Sequence, residues 1–199
     1  MKLGVLGGTF DPVHNGHLAI AWEVRERLAL DEVLFVPAGC PWLKAARPVS
    51  PAEHRVRMLR LALEGETHFR LSTLEIDRGG PTYTVDTIRE LKQGLVRDEL
   101  YFILGADSLS ELPKWRQPEA IIRLCTLVAV PRPGYAFPDL AAMEKAIPGI
   151  GRRVILLDAP NIDISATEIR DRLARGASIG DLVPGPVADY IREHGLYRD

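Results

Sequence analysis

A chain of 199 residues with 46% hydrophobic content can bury one substantial core, and its length does not call for a second. A net charge of −2 gives no sign of a surface built for nucleic acid, and apolar runs of strand length with no signal-like start predict neither a membrane span nor a leader. Cys40 and Cys125 form no Cys-x-x-Cys and are expected as ordinary buried thiols of a reducing cytoplasm.

Leu3–Leu6 predicts a short buried strand, and Leu18, Ala21, Trp22, Val24 and Leu28 recur at helical spacing, so a helix is expected from about His17 to Leu28. Between them lies Gly7-Gly8-Thr9-Phe10-Asp11-Pro12-Val13-His14-Asn15-Gly16-His17, a glycine-rich turn at the carboxyl end of a strand. In an open α/β sheet that edge binds ligands, and the helix N-terminus favours an anion. The turn is neither a P-loop nor Gly-x-Gly-x-x-Gly. It carries two histidines three residues apart around Gly16, a spacing at which both rings can face one way while the glycine lets phosphates approach the backbone. A lone histidine there would be read as a helix cap or as packing at the sheet edge. The pair flanking a glycine points instead to a polyphosphate. No Cys or carboxylate stands at ligand spacing nearby, so no protein-held metal is predicted.

Val33–Pro37 is the next parallel strand, followed by a Pro-rich loop from Ala38 to Pro51, of which Ala38–Val49 has a composition that permits a lid without requiring one. Ser50 as N-cap, Pro51 at N1 and Glu53 at N3 open a helix with the stripe Val56, Leu59, Leu63, leaving Arg55 and Arg57 on other faces. Phe69–Ile76 alternates like a strand, Asp77–Pro81 is a turn, and Thr82-Tyr83-Thr84 leads into a helix carrying Val85, Ile88, Leu91 and Leu95. Tyr101–Leu104 is a central strand ending at Gly105-Ala106-Asp107-Ser108, and short helical pieces surround Pro113–Arg116. A strand at Leu124–Val130, a helix near Leu140–Ile147, a strand at Val154–Leu157 and helices at Ala166–Ala174 and Pro186–His194 complete the chain. Strands alternating with helices, without repeats or linkers, predict an α/β fold: a doubly wound parallel sheet in a single domain, 1–199, with a small C-terminal helical portion.

Ile164-Ser165-Ala166-Thr167-Glu168-Ile169-Arg170 is a second informative stretch. Ser165 and Glu168 form a capping box, which by itself stabilises one helix by roughly 1 kcal/mol. Thr167 and Arg170 project from the same first turn, where hydroxyl, N–H and guanidinium together can grip a pyrophosphate.

With these motifs in view the chain resembles the bacterial nicotinate mononucleotide adenylyltransferases of the nucleotidyltransferase superfamily. Gly7–His17 matches the superfamily's first motif and Ile164–Arg170 its Ile-Ser-x-Thr-x-x-Arg element, while Gly80–Thr87, Gly105–Ser108, Lys114-Trp115, Val130–Gly134 and the tail from Ser178 to Tyr197 narrow the likeness to this family. The resemblance implies a Rossmann-like fold and adenylyl transfer from ATP to nicotinate mononucleotide, giving deamido-NAD and pyrophosphate, with Mg²⁺ bridging the phosphates. It implies His14, His17, Lys44 and Arg170 as catalytic. ATP would meet Gly7, Gly8, Thr9, Phe10, His14, His17, Gly105, Asp107, Ile164, Ser165, Thr167 and Arg170. The mononucleotide would meet Tyr83, Thr84, Trp115, Lys44 and Arg132. Tyr83 and Thr84 N–H groups at a helix start suit a carboxylate over an amide, and Trp115 suits a stacked pyridine, although core packing is the ordinary fate of a tryptophan. The chain departs from the family at Pro41-Trp42-Leu43-Lys44, where leucine replaces the histidine of Pro-x-His-Lys. Rival readings are adenylyl transfer to nicotinamide mononucleotide or phosphopantetheine, and a nucleotide-binding module that has kept the fold without the chemistry. Homo-oligomerisation is left open.

Overall fold

The structure, a computed structural model, describes residues 1–41, 49–94, 99–158 and 162–198. In chain order these form β1 (Lys2–Gly8), α1 (Asn15–Leu28), β2 (Glu32–Pro37), β3 (Cys40–Pro41), α2 (Ala52–Ala62), β4 (Phe69–Leu71), α3 (Leu74–Arg78), β5 (Pro81–Thr82) and α4 (Thr84–Gly94). There follow β6 (Glu99–Gly105), α5 (Ala106–Glu111), α6 (Pro118–Leu124), β7 (Thr126–Val130), α7 (Leu140–Met143), β8 (Val154–Leu156), α8 (Ala166–Ala174) and α9 (Gly185–Glu193).

Six strands make one parallel sheet in the order β4-β2-β1-β6-β7-β8. The chain runs outward from β1 to one edge, returns to the centre and runs outward to the other, which is the doubly wound Rossmann-like order. Its direction reverses between β1 and β6, where Val5 pairs with Phe102 and Leu6 with Ile103. The crevice beyond the carboxyl ends of these two strands is where such a sheet holds a ligand.

Successive side chains on a strand face opposite ways, and the core divides accordingly. Leu6, Val33 and Phe35 join Val24 of α1, Met58 and Leu59 of α2, Ile169 of α8 and Ile191 of α9 on one face. Val5, Leu34 and Val36 join Ile88 of α4, Leu109 of α5, Ile121 of α6 and Met143 of α7 on the other. Strands buried on both faces produce the continuous apolar runs seen in the sequence.

Four expectations need correction. Only Phe69–Leu71 of the predicted Phe69–Ile76 strand pairs with β2, and Leu74–Arg78 forms α3. Strand β4 lies at the sheet edge, so nothing on its outer side holds the remaining residues extended. Pro51, not Ser50, occupies the N-cap of α2, and the Ser50 N–H instead donates to Asp11 Oδ2 at 3.1 Å. Helix α7 stops at Met143, short of the predicted Ile147. Finally, Cys125 is buried, its thiol pushed up to about 12 chiefly by desolvation, whereas Cys40 is exposed.

Two further features shape the carboxyl edge of the sheet. Strands β3 and β5 pair there in parallel, Cys40 with Pro81 and Pro41 with Thr82, bringing the start of α4 beside the end of β2. The C-terminal portion is fastened to the start of α1, where Asn15 N donates to Leu182 O at 2.9 Å and Asn15 Nδ2 to Asp181 O at 3.1 Å.

Candidate active site

The turn leaving β1 sets the first half of the site. Phe10 has φ 51°, in the left-handed region that a non-glycine residue enters at a cost of roughly 1–2 kcal/mol. Its ring, 2% exposed, lies edge-on to His17 at 4.9 Å and near Phe35 at 5.8 Å, so it supports the His17 ring from the core side. His14 is the N-cap of α1 and its backbone N–H donates to His17 Nδ1 at 3.2 Å. A neutral imidazole that accepts at Nδ1 carries its proton on Nε2. The two rings stack with centroids 3.6 Å apart and planes 26° from parallel. Burial, at 6% exposure, together with the Arg132 charge draws the His14 pKa down to about 4, so this ring is neutral at pH 7. Its Nδ1 is buried without a hydrogen-bond partner. Gly16 makes room for the pair: a Cβ there would stand 3.0 Å from His14 Nδ1 and 3.3 Å from Ile162 Cγ2.

Helix α8 supplies the facing wall. Ser165 Oγ accepts from the Glu168 N–H at 3.1 Å, while the Glu168 carboxylate binds Arg172 at 2.7 Å instead of returning to the cap. The capping box is therefore half formed. Arg170 donates to Thr167 Oγ1 at 3.1 Å and to the carbonyl oxygen of Asp11 at 2.6 Å. One guanidinium thus joins the two motifs. His14, His17, Thr167 and Arg170 line a single cavity of about 720 Å³, together with Gly7, Gly8, Thr9, Ile164 and Ser165.

The same cavity extends past β6. Gly105 leaves room there for the Asp107 carboxylate: a Cβ would lie 2.4 Å from Oδ1 and would turn that side chain. That oxygen is buried and has no partner, while Asp107 Oδ2 is 3.5 Å from Arg132 Nε. Trp115 is half-buried, edge-on to Phe102 at 6.3 Å, with its indole Nε1 buried and unpartnered. It borders both the core and the cavity. Tyr83 C=O accepts from the N–H groups of Asp86 and Thr87 at 3.0 and 3.2 Å, Thr84 opens α4, and the Arg116 guanidinium sits 4.7 Å above the Tyr83 ring. Tyr83, Thr84, Asp107, Trp115 and Arg132 all border the cavity that holds the histidines. Lys44 and Leu43 lie outside the described residues.

Three residues that sequence reasoning missed hold this edge together. Arg55, expected on an outward face, is 2% exposed; it donates to Thr9 O at 2.9 Å, Ser50 O at 3.0 Å and Gly39 O at 3.4 Å. The buried stripe of α2 is Arg55, Met58, Leu59 and Ala62, and a charge at that helical register was the available signal. Asp11, 6% exposed, accepts from the Tyr197 hydroxyl at 2.6 Å through Oδ1 and from Ser50 N–H through Oδ2. Burial and the Asp11 carboxylate push the Tyr197 hydroxyl well above the ordinary phenol range. No local pattern marks a contact between residues 11 and 197.

Among the described residues no three His, Cys, Asp or Glu side chains cluster as a metal site, and no helix is long and apolar enough to cross a membrane. A magnesium ion that arrives on a triphosphate needs no such cluster, because phosphate oxygens and water supply most of its ligands.

The cavity at the strand-order reversal, walled by a histidine turn and an Arg-bearing helix, accords with the cytidylyltransferase-like family, whose model matches residues 5–172; the chain belongs to that family. A Dehalococcoides mccartyi protein named "Probable nicotinate-nucleotide adenylyltransferase" is 50% identical over 198 residues, covering 99% of this chain and 97% of its own. A Roseiflexus protein of the same name is 49% identical over 197 residues, covering 98% of each. Likeness of that extent places the chain among the nicotinate-nucleotide adenylyltransferases. A solved Plasmodium falciparum nicotinic acid mononucleotide adenylyltransferase complexed with NaAD superposes with a TM-score of 0.79 at 21% identity, covering 98% of this chain and 97% of that one. At that identity the likeness bears on the fold.

Proposed function

We propose that the chain, acting as one nucleotidyltransferase domain over residues 1–199, transfers the adenylyl group of ATP to nicotinate mononucleotide, releasing pyrophosphate and forming deamido-NAD, a step of NAD biosynthesis in the cytoplasm. The observation that carries this reading is the single cavity whose lining brings His14, His17 and Arg170 together with Tyr83, Thr84 and Trp115.

The acceptor phosphate is already ionised at neutral pH, so no general base is needed. Its oxygen attacks the α-phosphorus, a new P–O–P link forms, and the bond to the β-phosphate breaks with its electron pair leaving on pyrophosphate. Catalysis then consists of positioning and charge stabilisation. His17, protonated on Nε2, donates to the phosphate chain. The neutral His14 ring fixes the His17 plane and adds a polar contact without charge. Arg170 and Thr167 take the leaving pyrophosphate, joined by Lys44. Mg²⁺ accompanies ATP and neutralises its phosphates. Gly7, Gly8, Thr9 and Gly105 let the nucleotide approach the strand ends, and the unpartnered Asp107 Oδ1 accepts from a ribose hydroxyl. The Tyr83 and Thr84 N–H groups and the dipole of the 11-residue α4 favour a carboxylate, and Trp115 stacks on the pyridinium. Arg132 stays within reach of the acceptor.

Pyrophosphate release from ATP and Mg²⁺, measured in parallel with nicotinate mononucleotide, nicotinamide mononucleotide and phosphopantetheine, tests the reading. The acid is expected to turn over fastest. Preference for either alternative overturns the acceptor, and ATP binding without pyrophosphate from any of them overturns the chemistry.

A further inference from the structure

The C-terminal tail reaches Asp11, which borders the cavity. After α9, Gly195 has φ 59° and Tyr197 φ 63°, so the tail bends back twice and points the Tyr197 ring inward. A left-handed aromatic residue persists only where its surroundings over-determine it. Its hydroxyl donates to Asp11 Oδ1 at 2.6 Å and meets the Ser50 side chain, and its ring packs against the buried core. Phe10, directly before Asp11, is left-handed too. Asp11 thus sits between two strained residues, at the middle of the turn that carries the histidines.

A carboxylate bordering a polyphosphate cavity is an electrostatic liability unless it is engaged elsewhere. Asp11 borders this cavity, and both of its side-chain oxygens are taken up, by the Tyr197 hydroxyl and the Ser50 N–H. Its carbonyl oxygen is thereby left facing Arg170, which it receives at 2.6 Å. Arg55 adds a buried positive charge near the carboxylate while bonding the carbonyls of Thr9, Ser50 and Gly39.

We propose that Tyr197 is a positioning residue for ATP: its hydroxyl turns the Asp11 carboxylate away from the polyphosphate and fixes the Asp11 carbonyl that aims Arg170. The C-terminal tail thereby sets the geometry of a turn 186 residues earlier. The kinetic part of this inference rests on the adenylyl-transfer reading; the binding part does not.

Tyr197→Phe removes the hydroxyl and keeps the ring. Titration of the full chain with MgATP in a calorimeter is expected to show about tenfold weaker binding, the scale of a hydrogen bond to a charged group. Turnover should show kcat/KM for ATP reduced to match, KM for nicotinate mononucleotide changed by less than about twofold, and a melting temperature within about 3 °C of wild type. Asp11→Asn is the second variant: its amide oxygen still accepts from the Ser50 N–H and its NH₂ donates to the Tyr197 oxygen, but it carries no charge to be held away from the polyphosphate. In that background Tyr197→Phe should weaken MgATP binding by less than about twofold, because the hydroxyl no longer has a carboxylate to turn aside. MgATP binding by Tyr197→Phe at wild-type strength, or losses that simply add in the double variant, would overturn the proposal. An equal rise in KM for both substrates that tracks a lowered melting temperature would overturn it as well. If wild type binds MgATP but turns over no acceptor, the reaction assignment fails while the binding comparison still decides the role of Tyr197.

Discussion

The rings of His14 and His17 lie face to face at 3.6 Å, with the backbone N–H of His14 bonded to His17 Nδ1 at 3.2 Å. One residue of the pair is thus both the helix cap and the plate against which the other is held. With Nδ1 accepting, a neutral His17 carries its proton on Nε2, on a ring whose plane the stacking fixes. Donors fixed before reaction stabilise developing charge without the cost of reorientation.

His17→Ala should therefore lower kcat by about 10²-fold or more, equivalent to roughly 3 kcal/mol of lost transition-state stabilisation. Steady-state turnover at saturating ATP and nicotinate mononucleotide measures it. A near-wild-type kcat would remove His17 from the chemistry.

The depressed pKa of His14 makes stability depend on pH. Its folded value of about 4 lies below the ordinary 6.5, so as pH falls through that window the unfolded chain takes up a proton that the folded one refuses. The stabilisation is whole above pH 6.5; it declines by about 1.4 kcal/mol at pH 5.5 and by about 3 kcal/mol below pH 4. Urea unfolding of wild type and His14→Asn at pH 7.5 and pH 5 should show the wild type losing more. Equal losses would mean that the ring titrates normally.

Arg55→Met should destabilise the fold by about 3 kcal/mol, because it strips three backbone carbonyls of their donor and leaves the Asp11 carboxylate without its buried counter-charge. Arg57→Met, on an exposed face of the same helix, should change stability by less than about 0.5 kcal/mol. Chemical denaturation separates the two. Comparable effects would show that Arg55 contributes no more than a surface charge does.

Much of the fold was legible because its signals are local. Continuous apolar runs marked β1, β2, β6 and β7, buried on both faces, and the glycine-bearing stretch Gly7–His17 marked where β1 gives way to α1. Short edge elements were less legible. The alternation from Phe69 to Ile76 is that of a strand, but only three of its residues have a strand to pair with, and the rest coil into α3. Ser50 had the side chain of an N-cap, yet its backbone N–H was claimed by a carboxylate 39 residues away. Local propensity is a weak prior against a buried long-range bond.

By itself the sequence determined the alternation of strand and helix, the two motifs, and hence the kind of ligand that the carboxyl edge of the sheet could hold. Those follow from periodicity and spacing over a few residues, which the chain carries wherever it goes. Only the tertiary structure decided that Arg170 reaches Asp11, that Tyr197 reaches it from the opposite end of the chain, and that Arg55 turns inward to bind three carbonyls. Such contacts arise because a buried polar group must find a partner wherever the fold brings one, and distance along the chain gives no advance sign of which it will be.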